Sequence, residues 1–284
     1  MIILDSVEKL RDYLNNHKIL YNVMIKGITF NQEGVFPSVV HLQNMENIIF
    51  QDCIFHDRDS VNYLHLYIKG FLKFINVKSE DSFDFTSHFD DYPKPVDASI
   101  DHSYFYFASF DTGVRSLRVI NSDIDRLRLG GIYDYQEVFF VNSSIDTLTF
   151  LDSSDDFTFK NFVIQNCDVN HIKFIHNISI RDFKKDNKLV NWLIESDIDT
   201  LFSYATFFDS DVSGMKFRKI SFLDHILFNN CDVSGADFTD VVLRYGFHGL
   251  FFKECQGVDT INLPENITLR RGSVGELITA EKGS

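Results

Sequence analysis

One short phrase recurs along this chain at a spacing that neither a helix nor an ordinary strand explains. Asn121-Ser-Asp-Ile124-Asp, Asn142-Ser-Ser-Ile145-Asp, Asn166-Cys-Asp-Val169-Asn, Glu195-Ser-Asp-Ile198-Asp, Asp209-Ser-Asp-Val212-Ser and Asn230-Cys-Asp-Val233-Ser are copies of it, and Cys255-Gln-Gly-Val258-Asp is a weaker one. With the β-branched residue as position i, successive copies lie 14 to 29 residues apart. Position i−2 is small in every copy but the last: Ser122, Ser143, Cys167, Ser196, Ser210 and Cys231. Large apolar residues stand five positions before i (Val119, Phe140, Ile164, Phe207, Phe228) and five after (Leu129, Phe150, Phe174, Phe217, Phe238). A five-residue apolar period inside a longer repeat matches neither 3.6-residue nor two-residue periodicity.

A solenoid accounts for both periods. Four faces of about five residues make a coil of about twenty, in which a single coil cannot bury its apolar side and stability comes from stacking neighbours. The side chains at i and i−2 then point inward. Adjacent coils run parallel at about 4.8 Å, and much of the phenylalanine content, 30 residues in 284, becomes a stacked aromatic ladder.

The units within the coils carry a family likeness. Ala236-Asp-Phe-Thr-Asp240 fits the A-(D/N)-(L/F)-x-x unit, and Cys231–Gly235, Ser210–Gly214 and Met215–Lys219 are looser fits. The chain resembles a degenerate pentapeptide-repeat protein, best over 117–263 and more weakly over 28–116. The resemblance implies an all-β, right-handed parallel β-helix. Large residues at the second inward position (Leu127, Leu148, Ile172, Leu201, Met215) depart from the family pattern and point to a less regular cross-section.

A stacked array needs ends that hide its stacking faces. Ser6 is placed to cap a helix over 6–17, with Val7, Leu10 and Leu14 on one stripe, so residues 1–27 read as an N-terminal helical cap. Residues 28–263 read as the solenoid, interrupted near 86–98, where two of the four prolines fall, and near 181–191, which is locally basic. Pro264 reads as the end of the stack, 264–284 as a C-terminal tail, and Glu281–Ser284 as a disordered end of it.

Composition narrows the classes. The chain is 44% apolar and carries 27 basic against 41 acidic residues, a net charge of −14. It has enough apolar residues to bury a core. The charge opposes direct binding to duplex nucleic acid or to anionic lipid. No apolar run approaches the ~20 residues that span a bilayer. The start Met1-Ile-Ile-Leu-Asp5 has no basic leader pattern, and Cys53, Cys167, Cys231 and Cys255 make no CxxC pair, so a cytoplasmic protein with reduced thiols is expected. Cys167 and Cys231 share the small inward column, but with two coils between them they stand ~14 Å apart, too far for a disulfide.

The outward positions hold the functional candidates. Positions i−1 and i+1 predict an acidic stripe of Asp123, Asp125, Asp146, Asp168, Asp197, Asp199, Asp211 and Asp232. Asp and Ser there also suit hydrogen bonding to turn amides. The face carrying i−5 is apolar outside as well as inside, with Phe139, Val163, Trp192, Phe208, Leu227 and Phe252 expected outward, covered either by the insertions or by another chain. No HExxH, GxSxG, P-loop or GxGxxG motif appears, and no catalytic residue, metal site or cofactor is assigned.

The first expectation is therefore a non-enzymatic protein-binding solenoid. The resemblance implies one mechanism: an acidic rod that imitates DNA and occupies the basic groove of a protein partner, as in relatives that protect or inhibit type II topoisomerases, or an immunity or anti-defence inhibitor. A homodimer is a second partner reading. The alternatives are a β-helical carbohydrate-active enzyme and the substrate-binding solenoid of an effector.

Overall fold

The computed structural model describes residues 1–31, 36–37, 42, 44–56, 64–86, 96–110, 114–130, 137–151, 161–181, 191–192, 194, 196–243, 249–265, 267–271 and 277–282. The chain is a right-handed parallel β-solenoid of about seven turns. That hand is expected, because parallel crossovers built from twisted strands are right-handed in almost every case. It divides into two compact units, 1–148 with 159–169, and 149–158 with 170–284.

In the first unit one sheet is built from parallel neighbours Ile2–Leu4, Leu20–Lys26, Asn44–Gln51, the second half of Leu64–Ile75, Val96–Asp101, Val114–Ile120, Glu137–Val141 and Asn161–Gln165. A second parallel set runs through Thr29–Phe30, Ile54–Phe55, Lys78–Thr86, Tyr104–Phe110 and Asp123–Gly130. The phrase copies lie where the chain passes from the first set to the second. Ile124, Ile145, Ser122 and Ser143 are buried, as their columns predict.

The asparagine that opens the phrase has its own role. Asn121, Asn142 and Asn166 all adopt positive φ, near 50°, as do Asn47 and Asn76 on earlier rungs. Asparagine is among the few residues that tolerate the left-handed region. Two of the phrase's side-chain amides also bond the one on the rung before: Asn142 Nδ2 donates to Asn121 Oδ1 at 3.2 Å, and Asn166 Nδ2 to Asn142 Oδ1 at 3.2 Å. Inside the corner, Ser122 Oγ donates to Ile120 O at 2.7 Å and accepts from Ser103 N at 3.1 Å, and Ser143 repeats the arrangement one rung on. A buried hydroxyl is thus satisfied twice, which its burial requires.

The helix Val7–Asn16 is capped by Ser6, whose side chain accepts from Lys9 N at 3.3 Å, and it buries Leu10 and Tyr13. The segment 1–27 is more than a helical cap, because Ile2–Leu4 and Leu20–Lys26 already belong to the parallel sheet.

The second unit stacks Asp199–Phe208 between Asp168–Arg181 and Ile220–Asn229, with Leu250–Lys253 following. Phe207, Phe228 and Phe252 form the expected ladder at 4.9 and 5.4 Å between ring centroids, and Phe217 stacks on Phe238 at 4.4 Å. Val212–Met215 and Val233–Ala236 are hydrogen-bonded turns with Gly214 and Gly235 at φ near +66° to +67°, the third-position geometry of a type II turn.

Three expectations change here. Phe252 points inward and is 1% exposed, because Glu254 takes the positive-φ corner and pairs the last rung one residue out of the expected frame. A one-residue slip inverts every side chain of a strand. The copy at Ile198 slips likewise: Thr200 pairs with Ile172 and is buried, while Leu201 is half-buried. The tail is not disordered at Glu281 and Lys282, which lie in a strand. Ile267–Arg271 and Leu277–Lys282 form an antiparallel hairpin whose second strand pairs with Leu250–Lys253. Of the two expected interruptions, 87–95 and 182–190 lie outside the described residues, whereas Val96-Asp97-Ala98 is strand.

Candidate functional site

The acidic residues divide by environment. In the second unit Asp211 accepts from the backbone and hydroxyl of Ser213 at 3.0 and 2.7 Å, and Asp232 from those of Ser234 at 3.0 and 2.6 Å. Both carboxylates close their own turns. Asp197 lies 3.6 Å from Arg218, and Asp199 lies 3.9 Å from His171. In the first unit Asp123, Asp146 and Asp168 are exposed and Asp125 is half-exposed. Asp125 accepts from Tyr104 Oη at 2.9 Å and Asp146 from Thr147 Oγ1 at 3.3 Å, while the carboxylates of Asp123 and Asp168 meet no hydrogen-bond or ionic partner among the described residues.

These four aspartates occupy three consecutive rungs, since Ser144 N bonds to Ser122 O and Asp168 N to Ser143 O. Rung spacing puts Asp123 and Asp168 ~10 Å apart, with Asp125 and Asp146 ~5 Å apart beside them. The adjoining earlier rung carries Tyr104 instead, and the rung before that Lys78. The stripe is therefore a patch on the first unit, with the remaining members on the second unit engaged locally.

A second feature of the first unit was not read from the sequence. The outward residues of successive strands align as Lys73, Ser99, Arg118, Phe139 and Val163. Ser99 is short, so the face dips between Lys73 and Arg118 into an open trough of about 720 Å³. Its floor is Asp97, Ser99 and Asp101, and its walls are Phe71 and Lys73 on one side and Arg115, Arg118 and Glu137 on the other. Arg115 grips Asp97 with two nitrogens. Arg118 lies 3.5 Å from Glu137 and stacks 5.3 Å over the Phe139 ring. Lys73 sits 5.4 Å over Phe71 and makes no ion pair among the described residues. The trough depends on register between strands about twenty residues apart, which local patterning does not reveal.

The expected apolar outer face is only half-exposed. Phe139 and Val163 on the first unit, and Trp192, Phe208 and Leu227 on the second, are all half-buried. Trp192 lies in a helical turn whose carbonyl accepts from Ser196 N at 3.1 Å, not on a strand.

Interior polar groups serve the fold. Ser103, Ser122, Ser143 and Ser210 donate to the carbonyl two residues earlier, and Cys53, Cys167, Cys231 and Cys255 repeat the contact at 3.3–3.4 Å. All four cysteines are free thiols. Among the described residues no helix is long and apolar enough to cross a membrane, and no group of three or more His, Cys, Asp or Glu is placed to hold a metal ion.

Comparison with family models, with curated proteins and with solved structures finds no match to this chain.

Proposed function

We propose that this protein is a non-catalytic, protein-binding solenoid that acts in the cytoplasm and presents its acidic patch to a cationic surface. The observation that carries the reading is the grouping of Asp123, Asp125, Asp146 and Asp168 on three consecutive rungs, with two of the carboxylates uncommitted to any turn. Asp211 and Asp232 provide the contrast, since the same residue type at the same column closes its own turn there. A fixed array of like charges repels itself, and a cationic partner relieves that repulsion. A DNA-mimicking inhibitor or protector of a nucleic-acid enzyme is the specific form this takes, because a basic groove built for phosphates accepts a regular carboxylate array.

The test is quantitative affinity capture with the wild-type chain and with Asp123→Asn, Asp125→Asn, Asp146→Asn and Asp168→Asn combined. Capture that falls at least tenfold in the variant and weakens with salt supports the reading. Capture indifferent to both overturns it.

The trough favours a second reading, a carbohydrate-active solenoid, because it combines three carboxylates with the aromatic ring of Phe71. Turnover of an acidic glycan, lost on Ser99→Trp, would establish it.

A further inference from the structure

Cys231 and Cys255 stand in the same inward column on consecutive rungs of the second unit. The backbone pins them opposite one another: Asn230 N donates to Lys253 O at 2.9 Å, Gln256 N donates to Cys231 O at 2.9 Å, and Asp232 bridges in parallel to Gln256. In-register parallel neighbours hold their Cα atoms ~4.8 Å apart with side chains on the same face. That separation lies inside the ~4.4–6.8 Å range of disulfides.

The other two cysteines have no such neighbour. On the rungs beside Cys53 the column holds Ile28 and Val77, and on the rung before Cys167 it holds Ser143. The two paired thiols also differ in access. Cys231 is buried, 3.4 Å from the carbonyl oxygens of Phe207 and Asn229. Cys255 is partly exposed and lies 3.3 Å from those of Phe228 and Lys253. Phe207 lies on the rung before Cys231 and Phe228 on the rung of Cys231, so the two sulfurs lean the same way along the column and stay one above the other.

We propose that Cys231 and Cys255 form a modification site at which a peroxide oxidises the pair to an intrachain disulfide joining two rungs of the solenoid. Contact with Cys231 lowers the Cys255 thiol below its ordinary range, while the same contact and burial raise Cys231. Cys255 is then the attacking thiolate, the reactive form of the group. Its sulfur displaces hydroxide from hydrogen peroxide: the O–O bond breaks, an S–O bond forms, and Cys255 becomes a sulfenic acid. The Cys231 sulfur attacks the Cys255 sulfur next. The S–S bond forms, the S–O bond breaks, and the hydroxyl leaves as water with the Cys231 proton. Two thiols and one peroxide give one disulfide and two waters, with two electrons passing to the peroxide.

The folded full-length chain is treated with limiting hydrogen peroxide, its remaining thiols are alkylated under denaturing conditions, and the peptides are read by mass spectrometry. The expected product is a linked pair of peptides carrying Cys231 and Cys255, two hydrogens lighter than the free pair, with Cys53 and Cys167 recovered alkylated. In Cys231→Ser, with no resolving thiol, Cys255 is expected to proceed to sulfinic acid at least tenfold more than in the wild type. Recovery of both thiols alkylated, links between molecules, or wild-type Cys255 recovered as sulfinic acid beside an alkylated Cys231 would each overturn the proposal. The wild-type measurement decides the matter even if the variant does not fold.

Discussion

Asn142 holds Asn121 beneath it and Asn166 above it through one side-chain amide, donating to the first and accepting from the second, each at 3.2 Å. Its backbone sits at φ 49°, so one residue serves two demands at once. Replacing Asn142 by Ala loses both ladder bonds and asparagine's tolerance of the left-handed region, a combined cost of about 1–2 kcal/mol. Asn142→Gly loses the bonds but not the conformation, and is expected to be the milder change. Urea unfolding of the pair checks this; a more stable Ala variant would mean that backbone conformation is not what the corner requires.

Two glycines separate conformation from space. Gly235 and Gly257 share positive φ, at 66° and 72°. A Cβ built on Gly235 meets nothing within 4 Å, whereas on Gly257 it collides with the backbone and side chain of Ser234 on the preceding rung. Gly235→Ala is expected to cost about 1 kcal/mol from conformation alone. Gly257→Ala should cost several times more, since two rungs must part. Thermal melting of both variants reads the difference, and equal shifts would contradict the close approach.

Neighbouring residues on one strand make a third test. Phe228 is sandwiched between Phe207 and Phe252, while Leu227 faces outward and is half-buried. Phe228→Ala should lose about 3–5 kcal/mol through lost burial and the cavity left behind. Leu227→Ala should lose about 1 kcal/mol or less, the worth of partial burial. Denaturant midpoints for the two variants provide the comparison, and similar losses would place the wrong side chain in the ladder.

Acid should act on the turn after Asp237. Hydrogen bonds from the Thr239 hydroxyl and amide, at 2.7 and 3.0 Å, hold its carboxyl below the usual carboxylate range. A group whose folded value is depressed stabilises the fold above its unfolded value and loses that contribution as pH falls through the folded one. Thr239→Val is therefore expected to lower the melting temperature modestly near neutral pH, with the gap to wild type closing on acidification below the ordinary carboxylate range. A gap that persisted in acid would remove the ionised carboxylate from the explanation.

The parts legible in the sequence were those fixed by identity at a column. Ser122, Ser143 and Ser210, with Ile124, Ile145 and Val212, point inward as their spacing requires. The asparagine at the head of the phrase was visible only as a recurring letter, although the left-handed tolerance of that residue type is the signal that explains it. What could not be read was frame. Phe252 and Thr200 face inward because single-residue slips, next to the Glu254 corner and to the interruption before Ile198, invert the alternation. The trough was hidden for a related reason. Ser99 becomes a floor only because Lys73 and Arg118 stand beside it in register, and nothing local to Ser99 declares that. Asp211 and Asp123 look alike as letters, and a serine two residues on decides which is spent on its own turn.

The hairpin of Ile267–Arg271 and Leu277–Lys282 runs against the direction of the strand it joins. A parallel strand with an unpaired side is a template on which another coil, or another molecule, polymerises. By laying an antiparallel strand along Leu250–Lys253, the chain replaces an open parallel edge with a covered one, and the new outer strand carries the exposed Arg270, a charge that discourages addition. The hairpin thus supplies a stopping point at Leu250–Lys253 for a fold whose geometry has none of its own.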